Sequence, residues 1–171
     1  MTDEVTLREI TADDAPRLVA WRNDPDNARW FPRQPPFTLS GHYDWYHGTY
    51  LADPSQNLYL VLRDGEPIGT VGMTIRHGGG ELERMMLGDK ALARGGFMRQ
   101  GMRRLMSAYG LDYYWLRVMP DNERTIAFHK GNGFTEGGHT ADVYENILGE
   151  KGHYLIMSRS YDGYWLDVPP K

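Results

Sequence analysis

The tightest constraint on this chain lies between residues 82 and 118. A run ending at Leu87-Gly88-Asp89 reads as a strand, Arg94-Gly95-Gly96-Phe97-Met98-Arg99 opens a helix, and residues 113–118 read as the next strand. Met98, Met102, Leu105, Met106 and Tyr109 recur at helical spacing while Arg99, Arg103 and Arg104 occupy other faces, so the helix is amphipathic. A strand, a helix packed on the sheet and a second strand normally return as a right-handed crossover, which predicts a parallel strand pair. The mouth of such a unit is a natural ligand site. A glycine-rich turn into a helix offers unpaired N–H groups and the positive dipole end to an anion such as a pyrophosphate, and Arg94, Arg99 and Arg103 would add charge. The same residues fit a plain strand-to-helix turn with arginines on a solvated face, and the short motif alone does not separate the two readings.

The flanking segments supply the rest of an α/β domain with a mixed sheet. Residues 5–10 read as a strand, and Thr11-Ala12-Asp13-Asp14 offers caps for a helix reaching about Asn23, with Pro16 in its first turn. Residues 24–38 are crowded with Pro, Arg and aromatic side chains and are expected to be irregular. Thr38 or Ser40 would cap a second helix that ends near Asp53-Pro54. Residues 58–63 and 68–75 form a hairpin about Asp64-Gly65, and residues 76–80 turn into the strand 82–87. After residues 113–118, Asp121-Asn122 caps a short helix that Gly131-Asn132-Gly133 stops, and Phe134 and residues 153–158 supply the last strands. The expected architecture is a central, mostly antiparallel sheet with one parallel pair, flanked by about four helices.

At 171 residues the chain suits one domain spanning 1–171. A net charge of −4 makes nucleic acid an unlikely partner, and the absence of cysteine excludes disulfides, thiolate metal sites and an acyl-cysteine intermediate. The start of the chain lacks a signal-peptide pattern and no apolar run approaches a membrane span. A soluble, cytoplasmic monomer or homodimer is expected.

Element order and a second motif give the glycine segment its weight. The stretch Asn122-Glu123-Arg124-Thr125-Ile126-Ala127-Phe128-His129-Lys130-Gly131-Asn132-Gly133-Phe134 is similar to the Asn-x-x-Ala-x-x-x-Tyr-x-x-x-Gly-Phe pattern of the GNAT superfamily of acyl-CoA-dependent N-acyltransferases. Arg94 to Arg99 resembles that family's Arg/Gln-x-x-Gly-x-Gly/Ala pyrophosphate segment, with Phe97 and Arg99 standing where small residues are usual. The resemblance covers nearly the whole chain. It implies acetyl-CoA as co-substrate, held by Leu87, Arg94, Gly95, Gly96, Phe97, Met98, Arg99, Asn122 and Phe128, with the N–H groups of Gly95, Gly96 and Met98 nearest the pyrophosphate. It also implies direct attack by a free amine, with no acyl-enzyme.

Such chemistry needs a base for the amine, a donor for the carbonyl oxygen and a proton for the departing thiolate. His129 occupies the position of the family's tyrosine and is the candidate proton donor, against the alternative of a packed helix residue. Asn122 is either a pantetheine contact or a plain N-cap. Glu81 and Glu83 are the candidate bases; strand alternation puts them on one face, with Leu82 and Arg84 on the other. Trp21-Arg22-Asn23-Asp24 and His42-x-x-Trp45 resemble the branch acting on nucleotide-linked amino sugars and ribosomal-protein N-termini. Arg22, Arg29, Arg33, His42 and Trp45 would meet a phosphorylated or ring-shaped acceptor, although Trp21, Trp45 and Tyr46 also fit a core at helical spacing. His42 and His47 are spaced wrongly for a metal pair, and no metal is expected. The leading expectation is acetylation of a primary amine on a small molecule. Its competitors are a peptide or protein amine acetyltransferase, and a non-catalytic acyl-CoA-binding or nucleic-acid-associated module. Met73 and Met86 would line a pocket for acetyl or for a longer acyl group alike.

Overall fold

A computed structural model describes residues 3–32 and 36–161. Seven strands form one sheet: β1 (Val5–Glu9), β2 (Gln56–Arg63), β3 (Glu66–Arg76), β4 (Gly79–Leu87), β5 (Tyr113–Val118), β6 (Thr135–Glu145) and β7 (Lys151–Ser160). Their order is β1-β2-β3-β4-β5-β7-β6, and β4 with β5 is the one parallel pair in this sheet. The strand–helix–strand unit read from the sequence is therefore present, and every other neighbour pairs antiparallel.

The helices divide between the two faces. One face carries α4 (Phe97–Tyr109), whose buried Phe97, Met102, Leu105 and Met106 pack with Val61, Val71, Met73, Tyr114 and Leu116. α5 (Glu123–Lys130) adds Ile126 and Phe128 to the same core. The other face carries α1 (Ala15–Asn23) and α3 (Leu39–Trp45), the latter prolonged by a wider π turn over Tyr46–Tyr50. Leu18 and Tyr50 meet Ile10, Leu58 and Leu60 there, with Trp21, Trp45 and Tyr46 packed around them. The apolar periodicity of α1 and α3 is thus explained by a second, smaller core.

Local signals fix the ends of these elements. Thr38 accepts from Gly41 N at 3.0 Å and is the cap of α3, leaving Ser40 inside the helix. Asp14 precedes α1, ion-pairs with Arg8 at 2.8 Å and closes a capping box with Thr11. Two expectations need correction. The segment 24–38 is not wholly irregular, because Asp24 accepts from Asp26 N and starts a single turn, α2 (Pro25–Ala28). The strand expected around Phe134 is the long β6, whose side chains are mostly exposed, so it carries no apolar alternation along its length.

β4 contains the one departure that shapes the site. Register with β3 slips between the Gly72–Glu83 and Thr70–Met86 pairs, so two residues of β4 oppose Val71 alone. Arg84 sits in this bulge with φ of 53°, a left-handed backbone that non-glycine residues adopt only at a cost. On its other side β4 pairs with β5 only at Gly80–Tyr114 and Glu81–Trp115. Beyond Glu81 the two strands part, and among the described residues no strand fills the gap between them.

Candidate active site

The start of α4 lies beside the end of β4, since a Cβ on Gly69 would meet both Met98 Sδ and the Leu87 backbone. Gly96, at φ of 71°, caps α4, and the helical ladder begins with Gln100 N donating to Gly96 O at 3.1 Å. The N–H groups of Gly96, Phe97, Met98 and Arg99 therefore have no partner inside the helix and project from its positive end. Gly95 N–H is not among them, because it donates to Leu92 O at 3.0 Å. Phe97 does not obstruct the approach. Its ring turns into the core and lies across Gly95, where a Cβ would sit 2.0 Å from a ring carbon. Arg94 is exposed beside the turn, and Arg99 lies against Gly131 just past α5, 3.5 Å from where a Cβ would stand.

α5 brings two more expected residues to this end of the molecule. Asn122 is nearly buried and accepts from Thr125 N at 3.2 Å, so it is the N-cap of α5. His129 is 3% exposed, stacked edge-on between Phe128 and Phe134, with Nδ1 buried and unpartnered. Burial lowers its pKa to about 4, which leaves the imidazole neutral near pH 7. It cannot arrive as an imidazolium donor there; what it offers is a neutral ring. Leu87, at the end of β4, is anchored through its carbonyl, which accepts from Lys90 Nζ at 2.9 Å and Asn27 Nδ2 at 3.3 Å. Lys90 also donates to Asn27 Oδ1 at 2.7 Å, tying α2 to the turn that leads to α4.

The two candidate carboxylates have different surroundings. Glu81 is 2% exposed and lies between two arginines: Arg117 Nε donates to its Oε1 at 2.7 Å, and Arg76 Nε stands 2.8 Å from its Oε2. The Arg76 contact is close but off the hydrogen-bond axis. Glu83, two residues past the last β4–β5 pair, is half-buried and accepts from Thr74 Oγ1 at 2.5 Å. Arg84 Nη2 is 3.6 Å from Glu83 and Arg76 Nη2 is 3.7 Å away. Arg84 was expected on the opposite face; the bulge turns it back so that it flanks Glu83 and lies over the Trp45 ring at 5.0 Å.

Three of the five residues expected on the acceptor side, Arg22, His42 and Trp45, converge on the same place. Arg22 is half-buried, its guanidinium 3.7 Å from the Phe37 ring centroid and 5.2 Å from that of Phe31. Burial first, then the nearby Arg84 charge, lowers its pKa to about 10, with Glu83 opposing. His42 stacks on Trp45 at 5.2 Å and is driven toward its neutral form by burial and by Arg22. Arg22, His42, Trp45, Glu83 and Arg84 therefore form one cluster spanning α1, α3 and β4. Phe31, Pro32, Pro36, Phe37 and Ile147 wall an adjacent apolar cavity of about 340 Å³. Arg29 lies apart, over Trp30 on the surface, and Arg33 falls outside the described residues. Arg84, Thr74, Arg76, Asn27 and Lys90 escape a sequence reading. The first depends on the bulge, and the others are brought in by pairing across strands or helices.

The family model of the acetyltransferase (GNAT) domain matches residues 4–135. The chain belongs to the GNAT acetyltransferase family. Solved GNAT structures share its fold. A spermidine N-acetyltransferase from Vibrio cholerae, solved with CoA and spermine, has a TM-score of 0.78 at 18% identity over 91% of this chain and 95% of that one. The ribosomal-protein-alanine N-acetyltransferase from Brucella melitensis reaches 0.73 at 20% identity, over 91% and 99%. An aminoglycoside acetyltransferase solved with coenzyme A reaches 0.72 at 21%, over 94% and 96%. No curated protein matches the sequence. Among the described residues no group of three or more His, Cys, Asp or Glu side chains is placed to hold a metal, and no helix is long and apolar enough to cross a membrane.

Proposed function

We propose that this GNAT acetyltransferase moves the acetyl group of acetyl-CoA to the primary amine of a small molecule, an amino sugar linked to a nucleotide being the acceptor that its lining suits. The observation that carries the reading is the placement of Glu83. It stands at the mouth of the β4–β5 gap, with the free N–H groups of α4 at one end and the Arg22–His42–Trp45 cluster at the other.

The residues present fit a CoA ester. Four unpaired N–H groups with Arg94 and Arg99 nearby suit a pyrophosphate, and a gap between two strands leaves backbone groups of β4 free for an extended, amide-bearing arm. Acetyl-CoA supplies an activated acyl thioester. The chain's own part is to bind, to orient and to move protons. Glu83 is the base in this reading, because a half-buried carboxylate with one hydroxyl donor has lone pairs left for an ammonium proton. Glu81 holds Arg76 and Arg117 in place instead. His129, neutral and with an orphan Nδ1, contributes a ring N–H as a hydrogen-bond donor rather than a titrating acid. Phe31 and Phe37 with Arg22 form a stacking wall for a flat or ring-shaped acceptor.

Calorimetric titration with acetyl-CoA is expected to show binding, and release of CoA thiol is expected with amines drawn from free amino sugars, nucleotide-linked amino sugars, amino acids or polyamines. Absence of acetyl-CoA binding at high micromolar concentration refutes the reading, and turnover on peptides alone refutes the acceptor class.

A further inference from the structure

Next to Glu83, on the sheet face shared with α1 and α3, lies a second cavity of about 400 Å³ lined by Asp53, Ser55, Gln56, Thr74, Arg76 and Arg84. Three of these residues touch Glu83: Thr74 by hydrogen bond, Arg76 and Arg84 by charge. The cavity therefore lies directly beside the carboxylate, and it shares no lining residue with the apolar cavity of Phe31 and Phe37.

Its hydrogen-bonding capacity is lopsided. Asp53 is occupied within the wall: Ser55 N and Oγ donate to Oδ1 at 3.0 and 2.6 Å, and Gln56 Nε2 donates to Oδ2 at 3.0 Å. Gln56 Oε1 accepts from Arg84 at 2.9 Å, and the Thr74 hydroxyl is donated to Glu83. The carboxylate and amide oxygens that line the cavity thus already have donors. The donors do not all have acceptors. Arg84 makes one aligned hydrogen bond, and Arg76, which lies close to Glu81, makes none with good geometry. Two guanidinium groups, each with five N–H donors in a planar fork, line a space whose other walls offer few free acceptors for them. An oxyanion completes such a wall; an ammonium or a sugar hydroxyl donor does not.

We propose that this cavity is an oxyanion subsite for the acceptor, with Arg84 as the residue that determines specificity and Arg76 assisting it. The proposal rests on the acetyltransferase reading above and narrows it: the amine at Glu83 belongs to a molecule that also carries a phosphate or carboxylate, so the acceptor is anionic or zwitterionic rather than a polycation. The bulge has a purpose in this arrangement. A regular β4 would send Arg84 to the α4 face, and only the left-handed turn at that residue delivers it to the cavity.

The test uses the full chain, with and without saturating coenzyme A so that the start of α4 is not the reporter. Inorganic phosphate, titrated calorimetrically into the CoA-loaded protein, is expected to bind, and Arg84→Gln is expected to weaken it by about tenfold. Arg76→Gln serves as a second variant should Arg84→Gln fail to fold, and is expected to weaken binding in the same direction. Matched acceptors then read specificity: glucosamine against glucosamine 6-phosphate, and an amino acid against its methyl ester, distinguish phosphate from carboxylate. Wild type is expected to favour the charged member of at least one pair by about tenfold in kcat/KM, and Arg84→Gln to bring that ratio near one. Phosphate that does not bind, or that binds wild type and the variants equally, overturns the subsite even if acetyl transfer proceeds. A protein that binds phosphate through Arg84 but does not bind coenzyme A upholds the subsite and overturns the transferase reading instead.

Discussion

His129 makes the most quantitative prediction. The imidazole is enclosed by Phe128 and Phe134, and burial lowers its pKa from 6.5 to about 4. A folded-state pKa below the unfolded one means that the unfolded chain binds the proton first as pH falls. Stability from this group is therefore full above about pH 6.5 and is lost progressively as pH drops toward 4. With those two values the loss between pH 7.5 and pH 5 is about 2 kcal/mol, approaching about 3 kcal/mol at lower pH. The perturbation is His129→Phe, which keeps an aromatic ring in the slot and removes the titrating nitrogen. Carboxylates elsewhere titrate in the same range, so the informative quantity is the wild-type stability minus that of the variant, measured by urea unfolding at several pH values. The difference should be flat above pH 7 and should move against wild type by about 2 kcal/mol at pH 5, roughly a 1 M shift in urea midpoint for a chain of this size. At neutral pH the variant should be at least as stable, because an unpartnered buried nitrogen is exchanged for carbon. A difference that stays constant from pH 7.5 to 5 refutes the burial argument and returns His129 to the set of acids that titrate near neutrality.

Other residues make shorter predictions. Glu83→Gln should lower kcat by about a hundredfold or more while leaving acetyl-CoA affinity unchanged, as expected for loss of a base; an unchanged kcat assigns proton removal elsewhere. Glu81→Gln should act first on stability, lowering it by about 2–3 kcal/mol in chemical denaturation because Arg76 and Arg117 lose a shared buried partner, and a variant as stable as wild type refutes that role. Gly96→Ala should cost about 1 kcal/mol in unfolding experiments through its left-handed backbone and should weaken acetyl-CoA binding in calorimetry. Asn27→Ala, which cuts the tie from α2 to Leu87 and Lys90, should raise the KM of both substrates, whereas an effect on one alone shows that the two sides are independent.

What the sequence reveals and what it hides both follow from the period of the elements. Glycine at the start of α4, the asparagine cap of α5 and the apolar runs of β2 and β3 about Asp64-Gly65 are local properties, set by a few neighbouring residues, and the structure shows them where the pattern puts them. The length of β6 was hidden because a mostly exposed edge strand has no apolar period to betray it. The acceptor side was hidden for a different reason. A period-two reading assigns each residue of β4 to a face by counting from Glu81, and the count fails at the one residue inserted opposite Val71. No side-chain preference announces that insertion, since Arg84 is not a glycine and adopts φ of 53° only because the surrounding strands and helices hold it there. The same event, just beyond the point where β4 and β5 part, turns a guanidinium toward Glu83 and sets it over Trp45. One backbone irregularity thus joins Glu83 to the cluster of Arg22, His42 and Trp45. Relaxing it, by deleting one residue of β4 at the bulge, is expected to let β4 pair further along β5 and to abolish acetyl transfer, while far-ultraviolet circular dichroism still reports a folded sheet.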